Sequence, residues 1–496
     1  MRLLISLVIC FLATLVIAQP EAVSVRYART ITKTELKEHL EVLASDAFMG
    51  RDTGKEGQKL AAAYLREHFR ACGIPPLNLP GMDEGYYQPY RLVEERKGSI
   101  SVQYKGRTLE FLNEVLYLTE VFTGSVSVKE LQVLRANALR QKPKSAANHI
   151  LLQLAADVAM TDLRPILEQE AVRSADIVLV VAPDQLFEQL QVFVHPEGSR
   201  MRLADEMANH ASKPNGSQIL FITQTTLEKI AGAKKAKGLH SMPNGSRLKT
   251  KMLITGKPKM KEVIAENVLA YIEGSDKKDE HVIITAHYDH IGVEGGVVYN
   301  GADDDGSGTV ALMEIAEALA LAKAEGYGPR RSILIMPVSG EEKGLLGSRF
   351  YSDHPVLPLE KAVANLNIDM IGRTDSAHAE GPPYVYVIGS DRLSSDLHAV
   401  NEAANKDNVG IELDYAFNAA DDPNRFYYRS DHYNFARKGI PCIFYFSGVH
   451  EDYHQPGDDV EKIRFDLLER RTRLVFHTAW ELANREDRIR IDKPTK

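Results

Sequence analysis

The chain has 496 residues, with 60 Lys and Arg against 68 Asp and Glu, a formal net charge of −8 and 44% hydrophobic residues. This ordinary globular composition argues against a disordered, collagen-like or coiled-coil protein, and the acidic balance predicts no nucleic-acid partner. The length exceeds what one hydrophobic core usually supports, so we expect two domains or one domain with a large insertion.

The first 19 residues have the pattern of a secretory signal peptide. Arg2 supplies a positive charge, residues 3–17 are mostly apolar, and Val16-Ile17-Ala18 fits a small-residue cleavage site. The alternative is an uncleaved membrane anchor, but the stretch is short for a span of roughly 20 apolar residues. We therefore predict a secreted or periplasmic protein with no stable membrane span after cleavage.

Three cysteines are too few for a disulfide framework. Cys10 would leave with the signal peptide, so the mature chain keeps Cys72 and Cys442. These two residues could pair in an oxidising compartment, or both could be free thiols, and the sequence leaves both possibilities open.

Residues 30–73 have helical periodicity. Thr34 is a candidate N-cap for a helix that runs through Leu43, and apolar residues recur at helical spacing over 54–69. Gly73, followed by two prolines, predicts the end of this second helix.

The stretch from about 110 to 257 has a different sequence pattern, in which short predicted strands and helices precede a lysine-rich segment. The lysine-rich segment 234–261 is predicted to be a solvated surface loop or hairpin. The predicted elements before it are strands at 150–154, 177–182 and 219–223 and helices at 163–172 and 226–230.

From about 262 the pattern becomes strand, loop and helix, repeated. Predicted strands cover 281–286, 332–338, 363–369, 384–388 and 441–446, and predicted helices cover 309–322, 394–404 and 430–437. Helices that alternate with fully apolar strands indicate a sheet buried on both faces. The fold class is therefore α/β, with a mixed, largely parallel central sheet, helices on both faces, and a smaller inserted β-rich domain.

Polar clusters follow four of these strands at the point where each strand ends. They are His287 with Asp289, Glu341 with Glu342, Asp369, and a loop that contains His450, Asp452 and His454. In an open α/β sheet, ligands bind outside the carboxyl ends of the strands. Independent surface charges would not be expected to choose this position four times.

The residue types in these clusters suit a divalent metal. Histidines combined with carboxylates and no cysteine fit zinc or a related ion. Asn300-Gly-Ala-Asp-Asp-Asp-Gly-Ser-Gly308 adds three aspartates at the start of a predicted helix, where the helix dipole favours negative charge. Oxygen-loving calcium or magnesium is less compatible with two histidine ligands.

The ordered motifs resemble the M28 family of co-catalytic zinc aminopeptidases and carboxypeptidases. The resemblance covers roughly 262–470, and the predicted helices at 32–73 also fit it. Its motifs are HYDH at 287, NGADDDGSG at 300, GEEKGLLGS at 340, NIDMIGR at 367 and DYHQPGDD at 452.

The resemblance implies a role for each candidate residue. Two Zn²⁺ or related ions would be held by His287 and Asp369 on one side and by Glu342 and His454 on the other, with Asp304 as the bridge. Because Asp303 and Asp305 adjoin Asp304, the choice of bridge carries a one-residue uncertainty. His450 is a competitor of His454, which the sequence context favours.

The resemblance also implies catalytic residues around the metals. Glu341 would be the general base, and Asp289 would hydrogen-bond His287 and fix its orientation. Tyr453 is similar to a family tyrosine that stabilises the oxyanion, with simple packing as the alternative. Asp431 and His432 either face the site or serve as a helix cap and a buried histidine.

The resemblance implies a domain organisation as well. Residues 1–19 form the signal peptide, 20–109 and 258–496 form the catalytic domain, and 110–257 form an insertion similar to a protease-associated domain. The leading functional hypothesis is a secreted aminopeptidase acting on peptides.

Three alternatives remain open on the same fold. A carboxypeptidase would need arginines for the substrate carboxylate, and Arg425 and Arg429 are candidates. A glutaminyl cyclase would use one zinc ion. A non-catalytic binding protein is disfavoured by the complete set of ligand residues.

Overall fold

The computed structural model describes residues 22–96, 100–117, 124–138, 148–193, 199–206, 217–232, 238, 242–256 and 259–493. The predicted signal peptide, residues 1–19, and Cys10 lie outside the described residues. The chain divides into two compact units: one contains the residues up to Gln88 and from Glu266 onward, and the other spans Pro89–Ala265. The predicted insertion at 110–257 falls within the second unit.

The strands are numbered in chain order. They are β1 (Tyr87–Arg96), β2 (Ile100–Tyr104), β3 (Arg107–Thr108), β4 (Val115–Leu116), β5 (Gly124–Arg135), β6 (His149–Gln153), β7 (Ile177–Ala182), β8 (Ser199–Leu203), β9 (Gln218–Thr223), β10 (Arg247–Gly256), β11 (Lys259–Val268), β12 (Ala270–Ile272), β13 (Lys277–His287), β14 (Gly292–Glu294), β15 (Val297–Tyr299), β16 (Arg331–Val338), β17 (Ala362–Ile368), β18 (Tyr384–Ile388), β19 (Glu412–Asp414) and β20 (Cys442–Phe446).

The α-helices are numbered in the same way. They are α1 (Val23–Ala28), α2 (Lys33–Leu43), α3 (Glu56–Ala71), α4 (Met160–Leu167), α5 (Glu170–Arg173), α6 (Asp184–Phe193), α7 (Gln224–Ala231), α8 (Gly308–Ala324), α9 (Leu346–Asp353), α10 (Ser395–Asn408), α11 (His432–Ala436) and α12 (Phe465–Asn484). Among the described helices, none combines the length and apolarity that crossing a bilayer requires.

A seven-stranded sheet forms the centre of the first unit. Its strand order is β12-β16-β13-β17-β20-β18-β19. Strands β16, β13, β17 and β20 run parallel. Strand β12 is antiparallel to β16, and β18 is antiparallel to β20 but parallel to β19. The predicted α/β fold with a mixed, largely parallel sheet is therefore confirmed. The carboxyl ends of β13, β16, β17 and β20 meet at one edge, which is where the predicted polar clusters begin.

Helix α8 packs into the main core beside this sheet. Its Val, Leu, Met, Ile and Ala side chains are buried along most of its length. A helix that is hydrophobic nearly all round is stable only when it is covered on most sides. Its first residue, Gly308, lies three residues after Asp305, so the buried helix fixes the position of the three aspartates at 303–305.

The N-cap of helix α2 lies two residues earlier than predicted. Thr32, not Thr34, is the N-cap of α2, because its Oγ1 accepts a hydrogen bond from the Glu35 N–H at 3.3 Å. The Thr32 hydroxyl also donates to the Glu35 carboxylate at 2.7 Å, which strengthens this cap. Helix α3 ends before Gly73, as predicted, and Gly73 adopts a positive φ of 76°.

The second unit contains an eight-stranded sheet of order β3-β2-β10-β5-β6-β7-β9-β4. Its strands β5, β6, β7 and β9 are parallel, so this unit is α/β in part rather than simply β-rich. The predicted helix at 163–172 is two helices, α4 and α5. The segment 234–261, predicted to be a surface loop or hairpin, contains the whole of β10, whose side chains alternate between buried and exposed. Lysines at the exposed positions of this strand produced the loop-like composition.

Arg51 connects the N-terminal helices of the first unit to the edge of its sheet where the carboxyl ends of the strands meet. The side chain is fully buried and donates to the carbonyls of Leu43 at 2.9 Å, Tyr288 at 2.8 Å, Asn300 at 2.6 Å and Gly301 at 2.9 Å. A buried guanidinium is tolerated when its donors are satisfied. Arg51 therefore joins the end of α2 to the turn after β13 and to the loop that leads into the aspartate triplet.

We expect Arg51→Met to lower the free energy of unfolding by about 2–5 kcal/mol, because several buried carbonyls lose their donor while the apolar volume is kept. Thermal and urea unfolding would measure the change. Arg26→Met is the matched control, since Arg26 is exposed and makes a surface ion pair with Glu325. Equal stability of the two variants would contradict the role assigned to Arg51.

Candidate metal centre

The structure brings all five predicted metal ligands together at the carboxyl edge of the central sheet. His287 is the last residue of β13, Asp369 directly follows β17, and Glu342 follows β16. Asp304 comes from the loop before α8, and His454 comes from the loop after β20. Four loops and strand ends therefore converge on Asp304.

One group of ligand atoms surrounds His287. Its Nε2 lies 3.2 Å from Asp304 Oδ1 and 3.7 Å from Asp369 Oδ1. All three side chains are buried, and their ligand atoms lie within 4.8 Å of one another. Tetrahedral zinc with bonds of about 2.0–2.1 Å would separate two such ligands by roughly 3.3 Å. The spacing of this group therefore fits one metal ion.

A second group surrounds the other oxygen of Asp304. His454 Nε2 lies 3.2 Å from Asp304 Oδ2 and 3.2 Å from Glu342 Oε2. Asp304 thus faces one group with each carboxylate oxygen, which is the geometry of a bridging ligand. Asp304, which was predicted as the bridge, is the residue of the triplet that lies between the two groups.

The neighbouring aspartates have structural partners instead. Asp305 accepts hydrogen bonds from the backbone N–H groups of Gly308 at 2.9 Å, Met370 at 3.0 Å and His287 at 3.2 Å. Burial raises the pKa of the Asp305 carboxyl well above its ordinary value, and the Asp369 carboxylate adds to the rise. Asp305 therefore connects β13, α8 and the loop after β17, and both of its carboxylate oxygens accept backbone hydrogen bonds.

Asp303 also has partners for both of its carboxylate oxygens. Its Oδ1 accepts from the Gly372 N–H at 2.6 Å, and its Oδ2 lies 3.2 Å from His450 Nε2. His450 is therefore paired with Asp303 rather than with Asp304, which agrees with the preference for His454 as the ligand.

His290 belongs to the second group, although the sequence did not single it out. The ring is fully buried, and its Nδ1 lies 2.9 Å from Glu342 Oε1 and 3.9 Å from Asp304 Oδ2. Gly301 allows this approach, since a Cβ there would lie 2.5 Å from the His290 ring. The signal was present in the motif HYDH, where His290 is the second histidine.

The donor set fits divalent metal ions. Within the described ranges, both ring nitrogens of His290, Asp304 Oδ2 and Glu342 Oε1 are buried and have no partner of hydrogen-bonding geometry. Buried polar atoms without partners are costly, and a cation among them would satisfy several at once. Imidazole and carboxylate ligands without cysteine suit zinc.

Asp289 has a different contact from the one predicted. His287 Nδ1 faces the backbone carbonyl oxygen of Asp289 at 3.0 Å, whereas the Asp289 carboxylate is 3.8 Å away. That carboxylate accepts from the Thr53 hydroxyl at 2.6 Å and from the Glu341 N–H at 3.2 Å. The turn after β13 brings the carbonyl closer than the side chain, so Asp289 orients His287 through its backbone and Glu341 through its carboxylate.

Glu341 and Tyr453 line the cavity in front of the ligands, together with His287, Asp304, Asp369 and His454. Glu341 Oε2 lies 4.0 Å from His287 Nε2. Burial raises the pKa of Glu341 well above its ordinary value, and Glu342 and Asp369 add to the rise. The Tyr453 ring stacks on the ring of His454 with 3.9 Å between centroids.

The remaining candidates divide between the cavity and the core. Arg429 lines the cavity, and its guanidinium lies 3.5 Å from the Tyr453 hydroxyl oxygen. The Arg425 guanidinium packs over the Tyr428 ring instead. Asp431 is buried beside Glu341 and makes no side-chain helix cap, and the buried His432 ring stacks on Phe444.

Two further residues contact the site residues but were not predicted from the sequence. Asp458 accepts from the backbone N–H groups of Asp303 at 3.1 Å and Asp304 at 3.0 Å, which anchors the triplet to the loop after β20. Ser430 donates to Asp369 Oδ2 at 2.6 Å. Neither residue type is distinctive in a sequence, so only the folded loops identify them.

Residues 267–479 match the family model for peptidase family M28. A probable zinc metalloprotease from Pyrenophora teres f. teres is 29% identical over 259 residues, which cover 45% of this chain and 52% of that protein. Aminopeptidase YwaD from Bacillus subtilis is 27% identical and covers 44% of each chain. The chain thus spans about half the length of these curated relatives.

The fold also resembles a solved structure over nearly the whole chain. The aminopeptidase from Aneurinibacillus sp. strain AM-1 matches with a TM-score of 0.56 and 18% identity, over 95% of this chain and 98% of that one. At this identity the likeness establishes the fold alone.

We expect Asp304→Ala to lose at least one bound metal equivalent, because both groups lose the carboxylate that they share. Zinc content after dialysis would be measured by mass spectrometry, with the exposed Asp407→Ala as control. A variant that keeps full metal occupancy would place the bridge elsewhere.

We expect His290→Ala to weaken zinc binding by about 10–100-fold at the second group, because Glu342 and Asp304 lose the imidazole that faces them. Titration with a competing chelator would measure both affinities. Weaker zinc binding at one of the two groups, with the affinity of the other group unchanged, would support the assignment. Unchanged zinc affinity at both groups would contradict it.

Proposed function

We propose that the chain is a di-zinc aminopeptidase that releases N-terminal residues from peptides. One observation carries this proposal: two ligand groups share Asp304, and Glu341 lies beside them in the same cavity. The name of the Bacillus subtilis relative supports the aminopeptidase assignment. His287 and Asp369 would hold one ion, Glu342 and His454 the other, and Asp304 both.

Zinc ions bound there would polarise the scissile carbonyl and lower the pKa of the attacking water. Glu341 then takes a proton from that water and returns it to the leaving amine. A carboxyl with a raised pKa suits both steps, since it must accept a proton and release it again. The hydrogen bond from the Glu341 N–H to Asp289 keeps this carboxylate facing the cavity.

Tyr453 and Arg429 provide polar groups on the opposite side of the cavity. Their side chains meet at the Tyr453 hydroxyl, and both line the cavity. Burial raises the pKa of Tyr453, so the phenol stays protonated at neutral pH and can donate a hydrogen bond. We assign Tyr453 to the stabilisation of negative charge that develops on the carbonyl oxygen.

An apolar surface adjoins the ligand groups in the same cavity. It is formed by Met370, Phe426, Phe444, Phe446 and Val449. A substrate side chain that fills this space gains hydrophobic burial, whereas a charged side chain loses its hydration. We therefore expect a preference for substrates with apolar residues at the cleaved end.

Arg429 favours a carboxypeptidase as the second candidate, because a guanidinium in the cavity could bind a substrate carboxylate. Leucine-containing dipeptides blocked at one end separate the candidates. The proposed aminopeptidase cleaves substrates with a free amine and an amidated carboxyl end. Cleavage only of N-acylated substrates with a free carboxylate would replace it with a carboxypeptidase.

Export and domain identity complete the proposal. The predicted signal peptide at 1–19 implies that the enzyme acts outside the cytoplasm. The stretch at 110–257 is proposed to be a protease-associated-like insertion, which its alternation of strands and helices around β6, β7 and β9 supports.

We expect Glu341→Gln to lower kcat by about 10²–10⁴-fold while zinc content stays unchanged, because the amide keeps the shape but cannot accept a proton. Kinetics on an aminoacyl substrate and metal analysis would be run on the same sample. Glu360→Gln, an exposed carboxylate of the same unit, is the control. Full activity of the Glu341 variant would remove it as the base.

A further inference from the structure

A second group of metal-binding side chains lies on three helices of the first unit. His39 comes from α2, His68 and Cys72 come from the end of α3, and Glu314 and Glu317 come from α8. At a rise of about 1.5 Å per residue, Glu317 lies about 14 Å along α8 from its first residue. None of these residues belongs to the metal centre described above.

Cys72, His68 and Glu317 form the outer part of this group. Cys72 Sγ lies 3.5 Å from His68 Nε2 and 3.9 Å from Glu317 Oε2, and the three ligand atoms lie within 4.8 Å of one another. Tetrahedral zinc with bonds of about 2.3 Å to sulfur and 2.0–2.1 Å to nitrogen would separate S and N by roughly 3.6 Å. The Cys72–His68 spacing matches that value.

The helical positions of these residues explain the approach. His68 and Cys72 are four residues apart, and Glu314 and Glu317 are three apart, so each pair occupies one face of its helix. His68 Nε2 also lies 3.1 Å from the Met313 carbonyl oxygen. A metal-bound His68 would give up this hydrogen bond and carry its remaining proton on Nδ1.

Glu314 forms the inner part of the group and supplies an independent observation. It is 2% exposed, and among the described residues its Oε1 has no hydrogen-bond partner. That oxygen lies 3.7 Å from His39 Nε2, and the rings of His39 and His68 are 4.8 Å apart in an edge-to-face arrangement. An unpartnered buried carboxylate is costly unless a cation or a proton compensates it.

The charges around the group favour a cation. Burial raises the pKa of Glu314 to about 8, and the carboxylates of Glu35 and Glu317 add to the rise. Burial lowers the pKa of His39 to about 4 and also lowers that of His68, so both imidazoles are neutral and keep a lone pair. The group therefore combines neutral nitrogen ligands with Glu317 and with a Glu314 carboxyl group whose negative charge needs a proton or a cation to compensate it.

We propose that Cys72, His68 and Glu317 bind a further zinc ion, with Glu314 behind them as a compensating carboxylate. The ion joins the C-terminal end of α3 to the middle of α8. Because α8 begins at the aspartate triplet, this site supports the helix that positions Asp304. The thiol of Cys72 loses its proton on binding, and solvent takes it up.

Cobalt substitution tests the proposal, because a thiolate ligand to Co²⁺ gives a near-ultraviolet charge-transfer band and the other centre has no cysteine. The full chain is titrated with Co²⁺ alone. We expect the band in the wild type, in Glu41→Gln and in Asp304→Ala, and its loss in Cys72→Ser. Glu41 is an exposed residue of α2, so its variant is matched to Glu317→Gln.

Zinc content provides the second measurement. We expect one equivalent fewer in Cys72→Ser and in Glu317→Gln than in the wild type or Glu41→Gln, with kcat/KM unchanged after zinc loading. A wild type without the thiolate band, or variants that hold as much zinc as the wild type, would overturn the proposal. Asp304→Ala distinguishes the two sites, because it is expected to remove ions only from the centre that contains Asp304 and to leave the Cys72 site loaded.

Discussion

Burial of many carboxylates at one edge of the central sheet is the constraint on which the first unit depends. They are Asp289, Asp303, Asp304, Asp305, Glu341, Glu342, Asp369 and Asp458, and most are nearly inaccessible to solvent. Such a concentration of negative charge would oppose folding unless each group found a donor or a cation. The surrounding loops supply backbone N–H groups, histidines and the buried Arg51, and the remaining oxygens suit divalent metals.

The partners of each carboxylate separate structural from ligand roles. Asp303, Asp305 and Asp458 accept hydrogen bonds from backbone N–H groups, so they hold loops in place. Asp304 has side-chain nitrogens of histidine on both sides instead. Three identical neighbours in sequence thus acquire different functions, because the turn before α8 directs each side chain to another part of the fold.

The same helix relates the two groups of metal-binding side chains. The N-terminal end of α8 follows the bridging aspartate, and its middle carries Glu314 and Glu317 beside Cys72. Both described cysteines, Cys72 and Cys442, are free thiols, so Cys72 is available as a ligand. Anchoring α8 at two points would limit its movement relative to the sheet.

Much of the fold and of the candidate site follows from the sequence alone. Largely apolar runs of five to seven residues predicted the strands at 281–286, 332–338, 384–388 and 441–446, because strands covered on both faces are nearly uniformly hydrophobic. The position of His287, Glu342 and Asp369 at strand ends placed them at one edge, since parallel strands share that edge.

Tertiary structure decided what depends on side-chain direction and loop geometry. His290 joins the second group because Gly301 lets its ring approach. The turn after β13 brings the Asp289 carbonyl oxygen to the His287 ring, while the Asp289 carboxylate accepts from the Glu341 N–H. The cluster at Cys72 draws on helices that are more than 200 residues apart in sequence. Local periodicity determines which elements form, whereas contacts between distant elements arise only when the elements pack.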